Sequence, residues 1–165
     1  MNHPFLPRTY TPALLCATLL LVPTPGRAQT AEAEVRQVIH QLFDGMRAGD
    51  STMVRAVFDP TARLVTTFTD ADGTPSLREG SVDRFVQAVG APHDEVWDER
   101  IWDLDIKVDD NLAAAWMKYA FFAGERFSHC GVNVFVLARR PDGWKTVYLA
   151  DTRRRGDACE MPPDR

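Results

Sequence analysis

Cysteine, histidine and long apolar runs are all scarce in this 165-residue chain. Of its three cysteines, Cys16 follows Leu15, so the small residue that a lipidation site needs before its cysteine is missing. That leaves Cys130 and Cys159, with His40, His93 and His129, and no spacing among them suits a metal. No cofactor is implied. The apolar run Ala13 to Val22 has 10 residues, too few for a helix across a bilayer of about 30 Å. With Arg8 before it and Gly26-Arg27-Ala28 after it, residues 1–28 read as a secretory signal. The expectation is a secreted or periplasmic protein with no membrane attachment once the signal is cleaved.

Cations are also in short supply. The chain has 19 basic and 23 acidic residues, and only Arg8 and Arg27 lie in the first 28, so the remainder carries 17 against 23, a net charge of −6. Nucleic-acid binding needs clustered cations and is excluded as a general role. No internal repeat or low-complexity segment is present.

What remains is a single domain over 29–155, with 45% hydrophobic residues in the whole chain to build a core. Residues 29–33 read as a polar leader and 156–165 as a flexible tail. From Glu34 to Ala48, Val35, Val38, Ile39, Leu42, Phe43 and Met46 recur at helical spacing. Gly49 ends that helix, and Asp50 caps a short second one carrying Met53, Val54, Val57 and Phe58. Residues 62–69 form a strand, Asp70 to Pro75 a turn, and Ser81 caps a third helix. Four long strands follow, over 96–108, 112–123, 127–139 and 144–154. His40 and His93, each without a partner, read as structural.

The last two strands join at Pro141-Asp142-Gly143, and a three-residue loop places Phe135 opposite Leu149, Asn133 opposite Asp151 and Gly131 opposite Arg153. Carried across the sheet, three-residue and two-residue turns at 109–111 and 124–125 place Trp102 opposite Lys118, Lys118 opposite Gly131 and Trp116 opposite Asn133. One face then turns polar at one end, where Arg100, Lys118, His129, Asn133, Asp151 and Arg153 meet Trp102 and Trp116. Gly131 is expected to leave room there for a ligand. The opposite face carries Met117, Tyr119, Phe121, Val132, Val134, Val136 and Tyr148, an apolar field expected to form a homodimer. Cys130 lies on that outer face, within reach of Cys159, and a disulfide between them is expected under oxidising conditions.

This order of elements resembles the nuclear transport factor 2-like cone, and so do Phe43-Asp44-Gly45-Met46, Trp97-Asp98-Glu99-Arg100, Ser128-His129-Cys130-Gly131 and Ala150-Asp151-Thr152-Arg153-Arg154. The local wording is similar to its SnoaL-like, or putative lumazine-binding, group. The resemblance implies an α+β fold, three N-terminal helices packed on a strongly bent antiparallel sheet. It is silent on activity, because the cone hosts enzymes and plain binders alike. Three readings of the chain stay open. In one, the chain is an exported binder whose cations Arg100, Lys118 and Arg153 hold an anionic, partly planar ligand against Trp102 and Trp116, with Asn133 in the wall. In another, it is a lyase or isomerase using Asp151 or His129 as acid or base, and in a third a pocketless interaction protein with Trp102 and Trp116 as core. Asp151 between Lys118 and Arg153 is equally an inert ion-pair partner. A His129–Asp151 dyad does not form in this register, since four residues of strand separate them by about 13 Å, a distance that only a bulge or slip would shorten.

Overall fold

The computed structural model describes residues 26–163. The signal expected over 1–28 lies outside them as far as residue 25. Helix α1 (Arg27–Ala48) begins earlier than its apolar pattern, and Gly49 ends it at φ 65°, the left-handed conformation glycine adopts without strain. The Asp50 side chain then accepts from the Thr52 and Met53 N–H groups, both at 2.9 Å, and starts α2 (Ser51–Ala56). Strand β1 (Phe58–Thr69) turns back into β2 (Pro75–Gly80), a strand the sequence reading missed. Helix α3 (Val82–Gly90), capped by Ser81, leads to β3 (Trp97–Asp109), β4 (Leu112–Ala123), β5 (Arg126–Arg140) and β6 (Gly143–Arg153).

The expected α+β class and the three helices are present. The sheet is mixed rather than wholly antiparallel: its order is β2-β1-β6-β5-β4-β3, and β1 runs parallel to β6. That pairing brings Thr66 beside Asp151 and Phe68 beside Arg153. The core lies between α1 and the concave face, where Ile39, Leu42, Phe43 and Met46 meet Ala115, Met117, Phe135 and Leu137. Among the described residues no helix is long and apolar enough to cross a membrane.

A bulge in each of the pairs β5–β6, β3–β4 and β4–β5 sets its register. The β5–β6 turn has two residues, pairing Arg140 with Gly143, but an extra residue at Val147 restores Phe135 to Leu149 and Asn133 to Asp151. The β3–β4 turn is also one residue shorter than expected. A bulge at Asp103-Leu104, with Asp103 at φ 51°, brings Trp102 back opposite Lys118. On β4–β5 the two-residue turn is as expected, pairing Ala123 with Arg126, but Ser128 is an extra residue in β5. Beyond it Phe121 faces His129, Tyr119 faces Gly131 and Met117 faces Asn133. A one-residue slip exchanges the two faces of a strand. Met117, Tyr119 and Phe121 therefore point into the cone, while Trp116 and Lys118 point out.

After Arg155 the chain crosses the outer surface and is held at two points. A disulfide joins Cys159 to Cys130, and Glu160 pairs with Lys118 at 2.9 Å. The tail read as flexible is thus tethered at Cys159 and Glu160.

Candidate functional site

The cone opens into a cavity of about 170 Å³. Leu42, Phe43 and Met46 of α1, Phe85 of α3, and Leu64 and Leu149 of the sheet give it apolar walls. Thr66, Glu99, Tyr119, Asn133, Asp151 and Arg153 supply its polar groups.

Asp151 sits at the junction of β6, β1 and β5. Its Oδ1 accepts from the Thr66 hydroxyl at 2.6 Å, and its Oδ2 lies 3.2 Å from the Tyr119 hydroxyl and 3.5 Å from Arg153 Nη2. Tyr119 also lies within donating distance of the Thr152 carbonyl, at 3.0 Å. Burial and then the Asp151 charge push its phenol well above the usual range, so it stays protonated and donates. Gly131 makes room for this arrangement, not for a ligand. A Cβ there would sit 1.8 Å from the Thr152 carbonyl oxygen and 2.7 Å from the Tyr119 ring.

Glu99 completes the constellation from β3. The Asn133 amide donates to its Oε1 at 2.7 Å. Burial of the carboxyl raises its pKa to about 7; the nearby Asp151 charge adds to this, while the Asn133 hydrogen bond and Arg153 oppose it. It is therefore poised to exchange a proton near neutrality, the condition that makes a carboxyl an effective acid or base.

Of the residues expected at the site, Asn133, Asp151 and Arg153 line the cone. His129 is buried nearby, with Ser128 Oγ at 3.0 Å from its Nδ1 and the Tyr119 and Phe121 rings against it. Burial, then Arg153 and Arg155, lower its pKa to about 4, so it is neutral and does not line the cavity. Tyr119 stands between it and Asp151, as the long strand separation required.

Trp116 and Lys118 are on the other face. Trp116 is 55% exposed, and Lys118 pairs with Asp103 and Glu160. Arg100 and Trp102 line a second cavity of about 620 Å³ at the β3 edge, shared with His40, Arg47, Glu99 and Pro162. Arg100 donates to Asp98 at 2.8 Å and lies over the Phe122 ring. The expected cluster of three cations beside two indoles does not form, because the Ser128 bulge turned β4, and with it the paired Arg100 and Trp102 of β3, over relative to Arg153.

Sequence reading missed Glu99, Tyr119 and Thr66 as site residues. Glu99 did leave a signal: it shares one face of its strand with Trp97 and Ile101, an acid between two large apolar residues. Tyr119 and Thr66 left none, since both look like ordinary strand residues.

The family described as "Putative lumazine-binding" matches residues 30–149. No curated protein matches the chain. Among solved structures it is similar to an NTF2-like protein of unknown function from Shewanella baltica, at 18% identity and TM-score 0.60, covering 81% of this chain and 100% of that one. An NTF2-like protein with a cystatin-like fold from Novosphingobium aromaticivorans gives 14%, 0.62, and 78% and 85% coverage. A putative dehydratase from the NTF2-like family, from Streptomyces avermitilis, gives 16%, 0.57, and 77% and 98%. At these identities the likeness establishes the fold. With the family match spanning most of its length, the chain belongs to the putative lumazine-binding family, built on the nuclear transport factor 2-like cone.

Proposed function

We propose that the chain binds a small molecule in the cone and moves a proton on it, as an isomerase or dehydratase does, with Glu99 as the acid–base group. One observation carries this reading. Glu99 is a carboxyl with its pKa raised to about 7, oriented by Asn133 and facing an apolar cavity. Asp151 is fixed by Thr66, Tyr119 and Arg153, so its part is to hold that wall together and to sustain the proton on Glu99. The likeness to the putative dehydratase from Streptomyces avermitilis is consistent with this chemistry.

The test is a flat probe whose ring opens when one proton is removed, 5-nitrobenzisoxazole. Turnover is expected to rise with pH through about 7 and to fall at least 100-fold in Glu99→Gln, the usual scale of a general base. A variant as active as the parent, or a Glu99 carbon resonance titrating near 4, would overturn the assignment.

Two further elements belong to the same reading. Export is supported by the leader pattern of residues 1–28. A homodimer is supported by the outer face of the sheet, where Leu112 and Trp116 are exposed and Val132, Val134, Val136 and Tyr148 are partly so. Met117 and Tyr119, expected on that face, are buried inside.

A further inference from the structure

Four arginines surround one opening at the end of the cone. A cavity of about 710 Å³ is lined by Arg78 of β2, by Arg153, Arg154 and Arg155 at and after the end of β6, and by Thr66, Phe68 and Thr69 of β1. Among the described residues no acidic side chain lines it. Among the described residues, Arg78, Arg154 and Arg155 form no ion pair, and Arg153 has only the long 3.5 Å contact to Asp151. Such a gathering is unusual on a chain with a net charge of −4.

The sheet registers explain it. Arg78 pairs with Thr66 and Thr66 with Asp151, so Arg78 projects from the same face as the acid–base site. Its guanidinium lies over the Phe68 ring, 5.0 Å from the centroid, which restrains it without neutralising it. Thr66 and Arg153 line both this cavity and the cone, so the two spaces adjoin. The neighbouring His129 registers the same positive field, since Arg153 and Arg155 both help to lower its pKa.

We propose that this arginine rim binds a multiply charged oxyanion, a phosphate monoester or a dicarboxylate, on a ligand whose uncharged part enters the cone. A guanidinium pairs with such a group through two parallel N–H donors, and several forks converging on one space offer more donors than a lone carboxylate can accept. The cone, with Glu99 and Asp151 in its wall, would reject the charged end and accept the apolar one. The proposal rests on the ligand-binding reading above and adds the class of ligand.

Three probes separate the parts: phenyl phosphate, isophthalate and neutral benzyl alcohol, titrated calorimetrically. Phenyl phosphate or isophthalate should bind at least ten-fold more tightly than benzyl alcohol, and the tighter of the two identifies the anion. The triple variant Arg78→Gln, Arg154→Gln, Arg155→Gln should lose at least ten-fold for the anionic probes and nothing for benzyl alcohol. Replacement of the same three by lysine should restore part of the affinity, and Lys107→Gln should change neither. Inorganic pyrophosphate reads the rim alone: its binding without any binding of benzyl alcohol would sustain the rim while removing the cone reading. Equal affinity of parent and triple variant for the anionic probes would overturn the proposal. So would binding of a short DNA duplex or anionic vesicles with none of phenyl phosphate or isophthalate.

Discussion

Glu99 and His129 pull the stability of the molecule in opposite directions over much the same pH range. The folded-state pKa of Glu99 is raised from 4.5 to about 7. The folded state therefore holds its proton longer than the unfolded chain, and stability is lost as pH rises from about 4.5 through 7. His129 is lowered from 6.5 to about 4, so its contribution is present above 6.5 and lost as pH falls through 4. Between these limits the two trends largely cancel in the parent protein. Glu99→Gln removes one of them. It should be more stable than the parent at pH 8 by up to about 3 kcal/mol, from about 1.4 kcal/mol per pKa unit, with the gain vanishing below pH 4. Urea denaturation of both proteins at the two pH values measures this. A constant difference across pH would show that the Glu99 carboxyl titrates normally.

Strand register decided which side chains met. The sequence reading paired Asn133 with Asp151 correctly although it assigned the wrong turn, because the residue missing from the Pro141-Asp142 turn reappears as the Val147 bulge. The same compensation at Asp103-Leu104 kept Trp102 opposite Lys118. The Ser128 bulge had no compensating error, and it alone sent Trp116 and Lys118 to the outside. A bulge costs one residue of pairing and leaves little local trace in the sequence, so parity counted from a turn holds only as far as the first bulge. The approach of β4, β5 and β6 at Gly131 makes this part of the sheet intolerant. Gly131→Ala should destabilise by about 3 kcal/mol, at the upper end of overpacking costs, because the new methyl meets backbone at Thr152. Its denaturation midpoint checks this, and an unchanged midpoint would mean that β6 can move aside freely.

At the scale of the whole molecule, the two faces of the sheet differ. The concave face holds the cavity, and the homodimer proposed above would form through the convex one, beside the tail tethered at Cys159 and Glu160. Light scattering at tens of micromolar is expected to give about twice the mass of one chain. Trp116→Lys should weaken association by about 2 kcal/mol or more, as loss of a central aromatic anchor does. A monomer in the parent protein at that concentration would reject the dimer.

Helices, five of the six strands, caps and the α+β cone were legible in the sequence because each is set by local rules: apolar spacing, Asp50 and Ser81 as caps, Gly49 as a stop. Asn133, Asp151 and Arg153 were legible as one site because their hairpin kept its register where it mattered. The rest was decided between elements. Only the parallel pairing of β1 with β6 brings Thr66 to Asp151, and only the Ser128 bulge turns Tyr119 inward. Only closure of the cone buries the Glu99 carboxyl enough to raise its pKa, since desolvation depends on everything packed around a group and not on its neighbours in the chain.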